Sequence, residues 1–219
     1  MSSPFDQSRY QVRFEWGVAG LDRLAASDIV VVVDVLRFSA TVTARVAAGE
    51  TVPLDAAAHA VSRNGAAVAA RAGRIGDDST STVLLGGLGN ATAVADVVLA
   101  EQHRRGARTS IAVIAAGELV TSDAAAPLRF AVEDLLGAGA VIDALGVLGL
   151  DHTSPEAAAA CESFRGLRAA ARHLLTASGS GQELIDRGAR DEVLAAAAVD
   201  SSASVPVLRG GTFEDYRAR

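Results

Sequence analysis

Asp34, Arg37, Ser39 and Thr41 fall in one stretch, Val33-Asp-Val-Leu-Arg-Phe-Ser-Ala-Thr41, that directly continues an apolar run. A carboxylate at the end of such a run is costly unless it is paired or bound to a cation. A guanidinium three residues on and two hydroxyls opening the next helix are anion-binding groups, and a helix start adds free N–H groups and a positive dipole end. The stretch therefore combines a metal-capable carboxylate with phosphate-capable donors. A purely structural reading also fits, with Asp34 paired to Arg37 and Ser39 as a plain helix cap. Glu118 follows a second apolar run, Ile111 to Ala115, as Asp34 follows the first. Two acids at neighbouring strand ends can share a hard cation such as Mg2+, which takes oxygen ligands and keeps several waters. Glu133 and Asp134 are further acids near apolar segments, and by spacing alone they read as a solvated helix face.

Other features carry less chemistry. Gly86-Gly-Leu-Gly89-Asn90 is a glycine-rich strand-to-helix turn that matches neither the P-loop nor the dinucleotide fingerprint. Ser178-Gly-Ser-Gly181 opens another helix that can hold an anion, or Ser180 and Glu183 can form a capping box. The four histidines are scattered without ligand spacing, and Cys161 in its alanine-rich helix reads as a small core residue.

These residues need elements to position them. Residues 28–35 and 109–115 are continuous apolar runs, which predict strands buried on both faces. Residues 9–16 alternate and read as a half-buried or edge strand. Short strands are expected at 51–54 and 66–71, another from Val83, and a closing one at 205–208. Helices are expected between them, including one from Ala91 to Arg105, one from Leu128 to Leu145 and one from Pro155 to Thr176. Residues 73–82 read as a polar loop, as do 121–127. Strands alternating with helices imply an α/β fold, three-layer α/β/α with a largely parallel sheet. In such folds ligands bind beyond the carboxyl ends of the strands, where Asp34 and Glu118 stand.

The chain has 219 residues, enough for one large domain spanning 1–219; the same length admits two lobes meeting near residue 108. The net charge is −6 with no basic block, which excludes nucleic acid as the expected partner. The single cysteine and a polar N-terminus lacking an apolar signal core point to the cytoplasm. No apolar run reaches membrane-spanning length, so no membrane partner is expected.

Several blocks, in order, resemble the 2-phosphosulfolactate phosphatase family. Val33-Asp-Val-Leu-Arg-Phe-Ser-Ala-Thr41-Val-Thr is similar to its "DVLR" signature, and Gly87-Leu-Gly-Asn90-Ala-Thr-Ala-Val-Ala95 to its "G-x-x-N-A-x-A-V-A". Ala115-Ala-Gly-Glu118, Glu133-Asp134-Leu, Ser180-Gly-Gln-Glu-Leu and Asp200 with Val205-Pro-Val follow in register. The resemblance spans about Asp28 to Phe213. It implies a Mg2+-dependent phosphatase for a small acidic phosphoester, on a three-layer α/β fold, as a homodimer. By position it makes Asp34, Glu118 and Glu133 the catalytic candidates and Asp34, Glu118 and Asp134 the metal candidates. Arg37, Ser39, Thr41, Asn90 and Ser180 become phosphate contacts. The sequence departs from the family between Arg74 and Val83, where a longer segment is usual, and at Leu119, where an arginine is usual. The alternative implied by those departures is a catalytically impaired relative that binds an anionic metabolite without turnover.

Overall fold

A computed structural model describes residues 3–78, 81–121, 123 and 126–217. In chain order the elements are β1 (Val12–Trp16), α1 (Gly17–Arg23), β2 (Ile29–Val33), α2 (Phe38–Ala47), β3 (Val52–Pro53), α3 (Ala56–Val61), α4 (Arg63–Asp78) and β4 (Thr82–Gly86). They continue with α5 (Ala91–Arg105), β5 (Ile111–Ala115), β6 (Glu118–Leu119), β7 (Leu128–Arg129), α6 (Val132–Val147) and α7 (Pro155–Leu167). The chain closes with α8 (Ala171–Ala177), α9 (Gly179–Asp186), α10 (Arg190–Ala196), β8 (Pro206–Arg209) and β9 (Thr212–Asp215).

The central sheet runs β1-β5-β2-β4-β8-β9-β3. Its first four strands are parallel, with Val33 of β2 level with Gly86 of β4 and Ala115 of β5. The strands β8, β9 and β3 extend it antiparallel. Strands from both sides of residue 108 interleave in this order. Along β2, Ile29, Val31 and Val33 enter one core with α5, α6 and α7, while Val30 and Val32 enter another with α1, α2 and α4. Both faces are covered, which is why the run shows no polar alternation. The result is the expected α/β/α sandwich. Each fully buried Val or Ile contributes about 1.5–3 kcal/mol, so β2 is a fixed platform for the residue after it.

The structure departs from the sequence reading in four places. The expected strand at 66–71 and most of the 73–82 loop are one helix, α4. Ala66, Ala69 and Ala72, three apart and fully buried, pack one face of it onto the sheet, and alanine is the strongest helix former. Ser79 and Thr80 of that loop lie outside the described residues, as do 122, 124 and 125 of the loop at 121–127. Leu128 does not start a helix; Leu128 and Arg129 pair with Leu119 and Glu118. The long helix from Pro155 breaks into α7 and α8. Finally, β9 follows β8 through Gly210 and Gly211, both at positive φ (54° and 78°), a hairpin turn that glycine permits. Side chains cap two of the helices: Asp55 accepts from Ala57 and Ala58 at the start of α3, and Ser154 from Ala157 at the start of α7, ahead of Pro155.

Candidate active site

Asp34 immediately follows β2 and is buried, at 4 % exposure. Its Oδ1 accepts the N–H of Phe38, the first residue of α2, at 3.2 Å. Its Oδ2 accepts the N–H of Gly65 in the first turn of α4 at 3.0 Å, and also the Ser62 hydroxyl. These N–H groups are ones a helix leaves unpaired at its positive end. A Cβ at position 65 would stand 2.7 Å from that of Asp34, so glycine is what lets α4 approach. The Asp34 N–H donates to Ser39 Oγ (3.0 Å), and that hydroxyl donates to the Val32 carbonyl (3.2 Å). Ser39 thus braces the strand-to-helix turn rather than capping α2 from its N-cap position, which is Arg37. Arg37 pairs with Glu192 (3.2 Å), not with Asp34.

Three more acids surround this point. Glu133 and Asp134 open α6 and are each 3 % exposed, so they are not a solvated face. Asp134 Oδ1 accepts the N–H of Val35 (2.8 Å) and Oδ2 that of Gly117 (2.9 Å), fastening the loop after β2 to the loop after β5. Gly117 has φ of 68°, a conformation that favours glycine, and its carbonyl accepts from Asn64 Nδ2 (2.8 Å). Glu133 accepts no hydrogen bond among the described residues, and no buried side-chain oxygen among them lacks a partner, so its carboxylate oxygens reach solvent. Glu118 is half-buried and accepts the Ser180 hydroxyl (3.1 Å). Ser180 is not a helix cap; Ser178 caps α9 by accepting from Gly181.

Among the described residues none of these four carboxylates is in an ion pair. Burial pushes the Asp34 carboxyl up, against hydrogen bonds from Ser62, Phe38 and Gly65, and the Glu133 charge adds to the rise. Burial, then the charges of Asp34 and Glu133, hold Asp134 well above the usual carboxylate range. Glu118 is raised by burial and by Asp34 and Glu133, with Ser180 and Arg129 opposing. Arg129 is its cross-strand partner. The described residues hold no cluster of three or more acid, histidine or cysteine side chains arranged to cage a metal ion. Mg2+ does not need such a cage, since one or two carboxylates with waters and a substrate phosphate suffice. The least committed oxygens belong to Glu133 and Glu118.

Beside the acids lies a cleft of about 690 Å3 between the start of α2, the 87–90 turn and α10. Arg37, Ser39, Thr41 and Asn90 line it; the four acids and Ser180 do not. Val35 joins the two regions, its side chain lining the cleft and its N–H held by Asp134. The Thr41 hydroxyl has no partner among the described residues, so it and Arg37 are the expected phosphate contacts with capacity to spare. The Asn90 amide is committed: Oδ1 accepts from Gly87 (3.1 Å), and Nδ2 donates to Leu85 (3.3 Å) and Ser204 (3.1 Å) carbonyls. Sequence reasoning missed Ser62, Gly65 and Glu192. The dipeptide Asn64-Gly65 by itself reads only as a turn, and nothing in the spacing connects residue 65 with residue 34, or 192 with 37.

A family model described as 2-phosphosulpholactate phosphatase matches residues 53–211, more than half of the chain. The match includes Asn90, Glu118, Glu133, Asp134 and Ser180 and begins after β2 and Asp34. Comparison with curated proteins returns no match. With the match covering residues 53–211, the chain belongs to the 2-phosphosulpholactate phosphatase family and is, with it, a phosphoric monoester hydrolase.

Proposed function

We propose that this chain is a Mg2+-dependent phosphatase for a small acidic phosphoester resembling 2-phosphosulfolactate. The observation that carries the reading is Glu133, a residue 3 % exposed whose carboxylate holds no hydrogen bond and keeps its oxygens open to solvent, among three acids whose pKa values are raised. Four acids crowded together without an ion pair favour a cation at their open edge. Glu133 and Glu118 would hold it, while Asp34 and Asp134, their oxygens bonded to backbone N–H groups, keep the loops in place. Held there, Mg2+ would offset the charge of the acids and would supply a Lewis acid for a phosphoryl oxygen. Arg37 and Thr41 take the remaining phosphoryl oxygens, and the fixed guanidinium favours the charge that develops on them. Glu133, placed by the first turn of α6, accepts the proton of the attacking water. A homodimer and a cytoplasmic setting belong to the same reading.

The test is phosphate release from a panel of small phosphorylated hydroxyacids in the presence of Mg2+. Turnover that disappears with chelator and in Glu133→Gln supports the reading. A second reading, binding of an anionic metabolite without turnover, is favoured by the three hydrogen bonds that already occupy Asp34. Thermal stabilisation by the same phosphoesters with no phosphate released would replace the first reading with the second.

A further inference from the structure

The cleft's two cations are Arg37 and Arg45, and its one acid is Glu192, among the described lining residues. Arg45 is held by Glu50 on its own side (2.8 Å). Arg37 is held from across the cleft: Nη1 stands 3.2 Å from Oε2 of Glu192, which sits 155 positions on in the sequence, in the first turn of α10. Both side chains are partly exposed, 39 % for Arg37 and 55 % for Glu192. Exposed pairs of this kind contribute little to stability and are readily exchanged. The pair therefore does not explain itself as a fold-holding contact. Its position explains it better, because it occupies the guanidinium that any anion in this cleft must use.

We infer that Glu192 is a built-in competitor for Arg37, a positioning residue that an entering phosphoryl group displaces and that returns to expel inorganic phosphate after hydrolysis. The inference rests on the proposed phosphatase site and adds a device for product release. A carboxylate tethered opposite Arg37 acts at a high effective concentration, so it weakens every anion there, and tight retention of the phosphate product is the state it prevents. Entry and exit require only that α10's side chain swing aside, with no change in the cores.

Binding of inorganic phosphate, followed by calorimetry on the full chain, tests this without relying on turnover. Glu192→Gln removes the competing charge and keeps the shape. It is expected to tighten phosphate binding about three- to five-fold, the scale of an exposed ion pair. Asp191→Asn, which removes a charge beside it, is expected to leave phosphate affinity unchanged, and circular dichroism checks that both variants fold. In an Arg37→Gln background the effect of Glu192→Gln is expected to vanish. Wild type binding phosphate while Glu192→Gln binds it equally or more weakly would overturn the inference and leave the site reading intact. Equal tightening by Asp191→Asn would overturn it too, making the effect one of general charge. Absence of phosphate binding in every folded variant would overturn the site reading itself, and this inference with it.

Discussion

The two edges of the parallel sheet bury acids in opposite ways. At the amino edge, Glu101 is 3 % exposed and accepts hydrogen bonds from Arg104, Arg105, Thr82 and Tyr216. Arg104 and Arg105 hold its pKa down at about 2, against the cost of burial. Asp28 nearby accepts from both the N–H and the hydroxyl of Ser110, each at 2.7 Å, and pairs with Arg105. At the carboxyl edge, four acids share one neighbourhood without an ion pair among the described residues, and Asp34, Glu118 and Asp134 are raised. The first edge is an electrostatic problem the chain solves with its own arginines. The second is solved only in part, by helix N-termini from α2 and α4. Like charges left together in a buried place mark function more than stability.

The sharpest way to break this comparison is to neutralise one acid at each edge. Glu133→Gln is expected to lower turnover by at least about 100-fold, the usual size of lost proton-transfer catalysis, while leaving the melting temperature unchanged or higher because it removes repulsion. Phosphate release and a thermal melt read the two effects separately. Glu101→Ala is expected to do the reverse. It should cost on the order of 2–3 kcal/mol in urea unfolding, because Arg105 loses a buried partner, with turnover of the folded enzyme little changed.

A smaller effect follows from pH. Unfolded carboxylates titrate near 4. Asp34, Glu118 and Asp134 are raised when folded, so the native state holds protons the unfolded chain has released, and stability contributed there falls as pH rises above about 4.5. Glu101 is depressed, so its contribution is present above about 4.5 and is lost as pH falls toward 2. Unfolding free energy against pH, measured without divalent cations, should therefore decline on both sides of a mildly acidic maximum. Glu133→Gln should flatten the alkaline limb and Glu101→Gln the acid limb. A single variant that flattens both would break the comparison.

Much of this contrast was legible in the residues. Asp34 shows itself because it ends a run of five apolar residues buried on both sheet faces, and Glu118 because it closely follows a second such run, three residues past β5. Glu133 and Asp134 were less legible: adjacency on a helix says nothing about which face meets the sheet, and only the docking of α6 beside Val35 and Gly117 buries them. The helix α4 was hidden because alanine gives little polar contrast, so its period of three cannot be told from a short strand. The partners of Asp34 and Arg37 were out of reach, since Ser62, Gly65 and Glu192 meet them only through the fold.

The central claim is that the carboxyl-edge acids are completed by a cation, and the most direct measurement is the melting temperature at pH 8 with and without about 10 mM Mg2+, for wild type and Glu133→Gln. For a millimolar site, linkage predicts a rise of about 3–5 °C in the wild type, larger at pH 8 than at pH 5 because protons compete for the raised Glu118 carboxylate, and little or no rise in the variant. No shift in the wild type, or an equal shift in both proteins, would contradict the account.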